Sequence, residues 1–574
     1  MKRNPDCQAC GLYRTAQAVC LMGQGPVPAK VMIIGEAPGF REDEIGKPFQ
    51  GAAGQLLDQL LKSTGLRRRD IYITNVCKCR PPDNRTPGAK EMKACKQYLE
   101  EEFKEVKPRY VLLCGAVALK AVLGKAKITQ IHGQMVEKDG IQYLPTFHPA
   151  AALRDPKRMD PLQRDIKVFS DMVKGKGVGG EPDLNWTEIR TFEQFNEMLE
   201  ELRNSRLASF DVETTGLFRY HETINCLGIA IPGREWILPL EFPGWKEYPP
   251  SPFYGNYELQ KMMIELIGEA LEEVNEVIGQ YGKFDVLFLW HHYGVKFPLT
   301  FDTGLASHLV DENISSSLKY QARLRCGAPS YDLSTPEKKG KVNPQKLYKY
   351  CAMDVHYTLK LRKVFRKLLR KDEALWNIFK NMLMPAVDAF IYAEHEGVFV
   401  HTHKLDEVEK DLVKKIAKVE KKLYKLTKPK RVNWNSPKQV AKVLFEDWGL
   451  TPLEKTKGGD WSTAESILKR LSDEHFGVEL LLKYREYHKQ YSGFVMGWKK
   501  RMWKGRIHPS FKLNGTVTGR LSCENPNLQQ VPRDSSIRSL IGAPPGWTFV
   551  EADYAQIELK VAAMISGERN MKFI

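Results

Sequence analysis

Four acidic residues and a tyrosine in this chain are spaced for metal-dependent chemistry. In "SFDVETTGL", Asp211 and Glu213 stand two residues apart and so share one face of a strand. Phe210, Val212 and Leu217 around them argue for a buried setting rather than an exposed charged face. Asp285, in "GQYGKFDVLFLW", comes just before an apolar helix. Tyr350 and Asp354, in "YKYCAMDVHYTLKL", lie four apart on one helix face. Four carboxylates with a tyrosine meet the requirement of a two-metal phosphodiesterase. One Mg²⁺ (or Mn²⁺) ion there activates water and the other stabilises the leaving oxygen. Another carboxylate, Asp553, follows a strand-like run over Phe549 to Ala552 and precedes a helical pattern from Gln556. That placement also suits a metal ion, but one carboxylate rarely holds a catalytic metal alone.

The cysteines form a second set. Cys7 and Cys10 make a CxxC, Cys79 follows far downstream, and Cys95 lies 16 residues beyond it in a helical stretch. Four such thiolates can close a zinc or an iron–sulfur site, and spacing does not choose between them. Cys77 is a fifth nearby candidate.

The elements that position these residues are readable. "KVMIIG", "DIYITNV", "RYVLLCG" and "QYLPTF" are short apolar runs of the kind buried in a parallel sheet, with helical patterns between them. That alternation predicts an α/β unit over 1–173, in which ligands bind beyond the carboxyl ends of the strands. Gly35, Glu36 and Ala37 follow the first strand, Asn75 the second and His148 the fourth, so they converge on one rim. A small-residue turn, an amide and an imidazole suit a flat polar ligand. "KGKGVGGEPDLN" reads as a linker, taken as 174–186, and a second seam follows the basic run ending near Lys371. Residues 401–500 carry Lys, Glu and Leu at helical spacing, with "WNSPKQV" capping one helix. The fold class is thus α/β multidomain with a mostly helical region near the C-terminus. The 574 residues suit three or four domains of about 150 residues.

A net charge of +17 favours a polyanionic partner such as DNA. No run of about 18 apolar residues suggests a membrane span. The N-terminus lacks a secretory h-region, so a cytoplasmic location is expected. Eleven cysteines in a chain without such a signal are expected to be reduced, buried or on a metal rather than in disulfides.

"GEAPG", "GKPFQGAAG", "TNVCKCRPPDNRTPG" and "TFHPAAALR", with the four cysteines, resemble family 4 uracil-DNA glycosylases. The resemblance implies an α/β/α glycosylase domain with a [4Fe-4S] cluster on Cys7, Cys10, Cys79 and Cys95. It implies a uracil pocket from Gly35, Glu36 and Ala37, with Phe49 stacking on the base, Asn75 reading its edge and His148 near the ring. A base-excising enzyme extrudes its target and stacks it on an aromatic face. Ala37 stands where other glycosylase families carry a carboxylate, which leaves Glu36 or Glu42 to position water. His148 would then stabilise negative charge on departing uracil. Two other readings fit the same residues: a uracil sensor without catalysis, and a zinc-bound DNA-docking domain.

The order DxE, D, YxxxD, with "FDTGLASHLVDEN" between, resembles the ribonuclease-H-like 3′–5′ exonuclease of family A DNA polymerases over 187–372. Asp211, Glu213, Asp285 and Asp354 would hold the metals and Tyr350 would assist. The family's second motif has Asn where this chain has Tyr281. "WNSPKQVAKVLFEDWGL", "NGTVTGRLSCENPNLQQVP" and "EADYAQIELK" resemble the polymerase thumb, over 373–500, and the start of the α+β palm, over 501–574. There Thr518, Arg520, Asn527 and Gln530 would track primer–template, Asp553 would bind metal and Glu558 would screen the sugar. The family's fingers helix and second palm carboxylate have no counterpart in these residues. The expectation is that a second polypeptide or a missing segment completes the polymerase.

Overall fold

A computed structural model describes residues 3–124, 128–155, 158–175, 184–241, 244, 248–329, 331, 343–427, 431–456, 459–516, 518–533 and 536–568. The chain forms two compact units, Met1–Ile391 and Tyr392–Ile574. Most of the linker-like stretch 174–186 lies outside the described residues.

The first sheet of the N-terminal unit contains β1 (Val31–Gly35), β2 (Ile71–Asn75), β3 (Tyr110–Cys114), β4 (Val136–Lys138) and β5 (Ile141–Thr146), in the order β2-β1-β3-β5-β4. The four apolar runs are its parallel strands, as their unbroken hydrophobicity requires when both faces are covered. Successive side chains of β1 serve opposite layers. Val31 and Ile33 pack with Leu57, Leu61, Ile166 and Phe169 on one side, and Met32 and Ile34 with Leu99, Val106 and Leu119 on the other. The short strand β4 joins antiparallel at the edge through Asp139 and Gly140, both at positive φ, which suits a tight hairpin.

The second sheet contains β6 (Trp186–Glu188), β7 (Leu207–Thr214), β8 (Ile224–Ile231), β9 (Arg234–Pro239), β10 (Glu276–Gly279) and β11 (Phe301–Asp302), in the order β11-β10-β7-β8-β9-β6. Strands β7, β8 and β9 are antiparallel neighbours, while β10 runs parallel to β7. Helix Pro344–Leu369 packs over β7 and β8. Gly228 on β8 permits this: a Cβ there would lie 2.6 Å from Cys351 Sγ of the helix. The two sheets' layers meet within this unit, where Arg164 ion-pairs with Asp311 and the Tyr320 ring meets His132 edge-on at 5.7 Å.

The C-terminal unit is built on the long helix Thr402–Leu426 packed against helix Phe476–Lys489. Ser436 caps the helix Pro437–Lys442 by accepting from Gln439 N–H, as its sequence predicts. Small sheets follow: β12 (Val398–Phe399), β13 (Met502–Trp503) and β14 (Arg506–Ile507), then β15 (Ser510–Lys512) paired with β16 (Ser522–Glu524). The expected strand over 549–552 does not form; Phe549 and Val550 are exposed, and no described strand lies beside them to share backbone hydrogen bonds. Glu551 instead pairs with Arg538. The helix expected from Gln556 is present at Ile557–Ser566.

One buried ion pair stands out in the first sheet. Lys78 Nζ lies 2.6 Å from Glu102 Oε2, 2.7 Å from Thr74 Oγ1 and 2.8 Å from the Asn75 carbonyl, at 1% side-chain exposure. Glu102 Oε1 also accepts from Gly23 N–H at 2.7 Å. Lys78→Met would leave that carboxylate buried without its counter-charge and is expected to cost about 3–5 kcal/mol. Chemical unfolding of the chain, read through the N-terminal unit, measures it.

Candidate active sites

The rim expected from the strand order exists. Gly35 and Asn75 are register partners at the carboxyl ends of β1 and β2, and His148 follows β5 at the N-terminus of helix Pro149–Arg154. Asn75 and His148 border a cleft of about 570 Å³ lined also by Glu36, Ala37, Phe49 and Arg154, while Gly35 lies behind Asn75 and Phe49 and is not part of its lining. Gly35 is obligatory, since a Cβ there would lie 2.4 Å from Asn75 Oδ1 and 2.6 Å from the Phe49 ring. Gly54 has the same role behind Phe49, whose φ of 53° turns the ring inward. The Asn75 carboxamide is buried, and no described residue hydrogen-bonds it, so its donor and acceptor face the cleft.

His148 and Phe49 stack with ring centroids 5.7 Å apart. His148 Nδ1 accepts from Ala150 N–H at 3.2 Å, which leaves the proton on Nε2. Burial, aided by Arg154, pushes the imidazole down to about 4, so it is a neutral donor at physiological pH. Burial raises Glu36, against a hydrogen bond from Thr86. Glu42 takes a different part: its carboxylate accepts from Gly39, Gln50 and Gly51 N–H at 2.9–3.1 Å and shapes the Phe49 loop. Of the two glutamates, Glu36 is therefore the one left available to a ligand. Arg154, Arg158 and Arg85 line the same cleft, Arg85 paired with Glu91 and Arg158 with Asp155; Arg154 belongs to "TFHPAAALR" and Arg85 to "TNVCKCRPPDNRTPG", while Arg158 had no sequence signal.

The cysteines gather on the other side of β2. Cys10 is raised by burial and feels Cys95 and Cys7; Cys79 is pushed up to about 12 by burial and feels Cys95 and Cys10. Cys95 is lowered to about 7, chiefly by a hydrogen bond from Cys77. Cys10 thus lies within electrostatic reach of Cys7, Cys79 and Cys95, and four thiols so placed are a donor set whose chemistry fits a bound metal centre. Cys20, absent from the sequence reading, contributes its backbone N–H to Cys79 Sγ at 3.3 Å. Only the fold brings it there.

In the second sheet all four acids and the tyrosine converge. Asp211 and Glu213 lie on β7, Asp285 in the first turn of helix Lys283–Tyr293, and Tyr350 and Asp354 on helix Pro344–Leu369. Asp285 Oδ1 accepts from Val212 N–H at 2.9 Å, which ties that helix to β7. Burial and mutual repulsion drive the carboxyls upward. Asp211 rises well above its usual range, Glu213 and Asp285 reach about 8, and Asp354 rises against the pull of Lys319. Asp354 Oδ1 is buried and accepts no hydrogen bond of ordinary geometry. Such excess buried negative charge fits divalent cations. Tyr281, the departure noted in the sequence, is at φ 57°, and its hydroxyl bonds Ser316 Oγ. Lys319, Cys351 and Asp302 also border these acids; the sequence reading singled out none of them.

In the C-terminal unit Asp553 is exposed, and no group of three or more ligating side chains gathers round it among the described residues. Arg520 and Glu558 ion-pair with each other, Asn527 caps Leu528–Gln530, and Thr518 sits in an exposed turn.

Three family models match the chain: the uracil DNA glycosylase superfamily at 22–170, 3′–5′ exonuclease at 186–370 and DNA polymerase family A at 402–573. A type-4 uracil-DNA glycosylase of Pyrobaculum aerophilum is 39% identical over 29% of this chain and 88% of its own length. The chain belongs to the type-4 uracil-DNA glycosylases, joined to family A DNA polymerase modules. A DNA polymerase of Bacillus phage SP01 is 24% identical over 94% of this chain and 68% of its own length. In fold, the POL domain of Pol1 from M. smegmatis matches with a TM-score of 0.53 at 20% identity, over 67% of this chain. This chain spans 64% of that domain. No described helix of this glycosylase–polymerase fusion is long and apolar enough to cross a membrane.

The raised acids set a pH dependence. Carboxyls with folded values above their unfolded ones stabilise the fold below about pH 4, and that contribution is lost as pH rises through about 8. In EDTA, thermal stability of the first unit is therefore expected to fall between pH 6 and 8 by about 5 °C or more, and Asp211→Asn is expected to flatten the fall. Differential scanning calorimetry at several pH values checks it.

Proposed function

We propose that the N-terminal module excises uracil from DNA and that the exonuclease module removes nucleotides from 3′ ends, on a chain that holds primer–template through its polymerase module. The observation that carries the first part is the buried, unpartnered Asn75 carboxamide beside Phe49 and a neutral His148. A flipped uracil lies against the Phe49 ring. Asn75 donates to O4 and accepts from N3–H, a pairing that cytosine reverses. As the glycosidic bond breaks, charge develops on the base, and His148 Nε2–H donates to the oxygen that gains it. Glu36 orients the water that captures the sugar. Arg154, Arg158 and Arg85 hold the flanking phosphates. Cys7, Cys10, Cys79 and Cys95 would hold a [4Fe-4S] cluster, which supplies structural cross-linking rather than redox chemistry.

In the exonuclease, Asp211, Glu213, Asp285 and Asp354 would hold Mg²⁺ or Mn²⁺, which activates water and neutralises the leaving oxygen when bound. Tyr350 orients that water. Asp553, Thr518, Arg520, Asn527, Gln530 and Glu558 would form the edge of a polymerase site. Two-metal nucleotide transfer needs a second palm carboxylate. We infer that it comes from a second polypeptide or a further segment, seated on the face where Val561, Met564 and Ile565 are exposed.

Incubation with uracil-containing single- and double-stranded DNA, with product mapping, tests the first proposal. Free uracil is expected, and His148→Ala is expected to slow its release about 10²–10³-fold. Asn75→Asp places an acceptor against O4 and should lose discrimination against cytosine. Binding without base release would make the module a sensor instead. Asp211→Ala with Glu213→Ala should abolish metal-dependent 3′ digestion while uracil release persists; continued digestion would remove the acids from that role. Anaerobically purified protein should carry about four irons, and serine at Cys79 should lower that count; zinc in its place would refute the cluster.

A further inference from the structure

The exonuclease site contains a cation of its own. Lys319, in the first turn of helix Leu318–Cys326, ion-pairs with Asp354 Oδ2. Its ammonium lies 4.2 Å from the centre of the Tyr350 ring and 5.6 Å from that of Tyr331. The Lys319 side chain is 18% exposed and that of Asp354 5%, so water screens the pair little. Lys319 therefore grips two of the five residues assigned to the reaction, one through charge and one through its ring face. Its neighbour Tyr320 points the other way, onto His132 and Phe147's layer of the glycosylase module, which anchors the helix from outside the exonuclease.

We propose that Lys319 is a positioning residue that serves as a built-in counter-ion at Asp354, competing there with a divalent cation until an incoming DNA phosphate draws the ammonium away. This rests on reading Asp211, Glu213, Asp285 and Asp354 as metal ligands. The physical ground is charge balance. Four carboxylates repel one another strongly when nothing neutralises them, and a fixed ammonium keeps Asp354 in place at that stage. The same ammonium occupies an oxygen the metal needs. A phosphodiester offers Lys319 an alternative anion, so full metal loading is coupled to substrate. Metal without DNA would then bind weakly.

Mn²⁺ binding to the full-length, cluster-loaded chain, followed by loss of the free-ion EPR signal, tests this directly. Lys319→Met is expected to tighten Mn²⁺ binding about tenfold, because a unit charge has left the site, while exonuclease turnover falls. Lys319→Arg should keep the wild-type affinity. A single-stranded oligonucleotide with phosphorothioates at its 3′ end should tighten Mn²⁺ binding to the wild type and leave Lys319→Met unchanged. A purely structural lysine would instead weaken metal binding on removal, and unchanged or weaker affinity in Lys319→Met overturns the proposal. Should that variant not fold, Lys319→Gln removes the charge with a polar tip and carries the same two outcomes. Asp354→Asn separates the two readings: if it leaves Mn²⁺ affinity intact, the metal-ligand assignment fails rather than the role of Lys319.

Discussion

The buried Lys78–Glu102 pair organises the glycosylase module. Lys78 sits between Cys77 and Cys79 in sequence and bonds the Asn75 carbonyl in space. One six-residue segment, Thr74 to Cys79, thus carries the Asn75 amide, two of the clustered thiols and the ammonium that pins them to helix Ala89–Val106. A charge taken out of water must be fully satisfied, and Lys78 is, by Glu102, Thr74 and the backbone. The cost of misplacing it is what holds Asn75 rigid at the strand end. A loop free to relax could not present one amide to a base within hydrogen-bond tolerance.

The exonuclease module handles buried charge the opposite way. Only Asp354 has a matching partner, Lys319; the other carboxylates crowd, and burial together with that crowding raises their proton affinity. That is unfavourable for the fold and useful for the site, because a divalent cation relieves it. The sheet supplies the rigidity: β7 is central, hydrogen-bonded to β8 and β10, and the Asp285 carboxylate caps the Val212 amide. The Lys78–Glu102 pair and the exonuclease acids therefore represent two solutions to one problem, a polar group held in a dry place, in the first case by satisfaction and in the second by arranged frustration.

The C-terminal unit shows what happens where neither applies. Its helical part has a closed core around Trp434, Leu444, Leu468 and Leu481. The stretch around Asp553 does not. Arg520 and Glu558 neutralise each other in solvent, and apolar side chains of Ile557–Ser566 face outward. Surface pairs of that kind contribute little, so this edge is held mainly by the chain itself.

Much was determined by local sequence. Unbroken apolar runs specified the parallel strands because a strand covered on both faces admits few polar residues. The two-residue spacing of Asp211 and Glu213, and the four-residue spacing of Tyr350 and Asp354, put each pair on one face, since strand and helix periods are fixed by backbone geometry. The rim of Gly35, Asn75 and His148 followed from strand ends in a parallel sheet. Other features depended on tertiary structure because they join residues with no periodic relation. Cys20 reaches Cys79, Glu42 turns from water-holder to loop brace, and Lys319 meets Asp354 across 35 residues of sequence. The strand expected at 549–552 is the reverse case: its composition favours β structure, but a strand exists only where another chain segment accepts its hydrogen bonds, and that is a property of the fold and not of the segment.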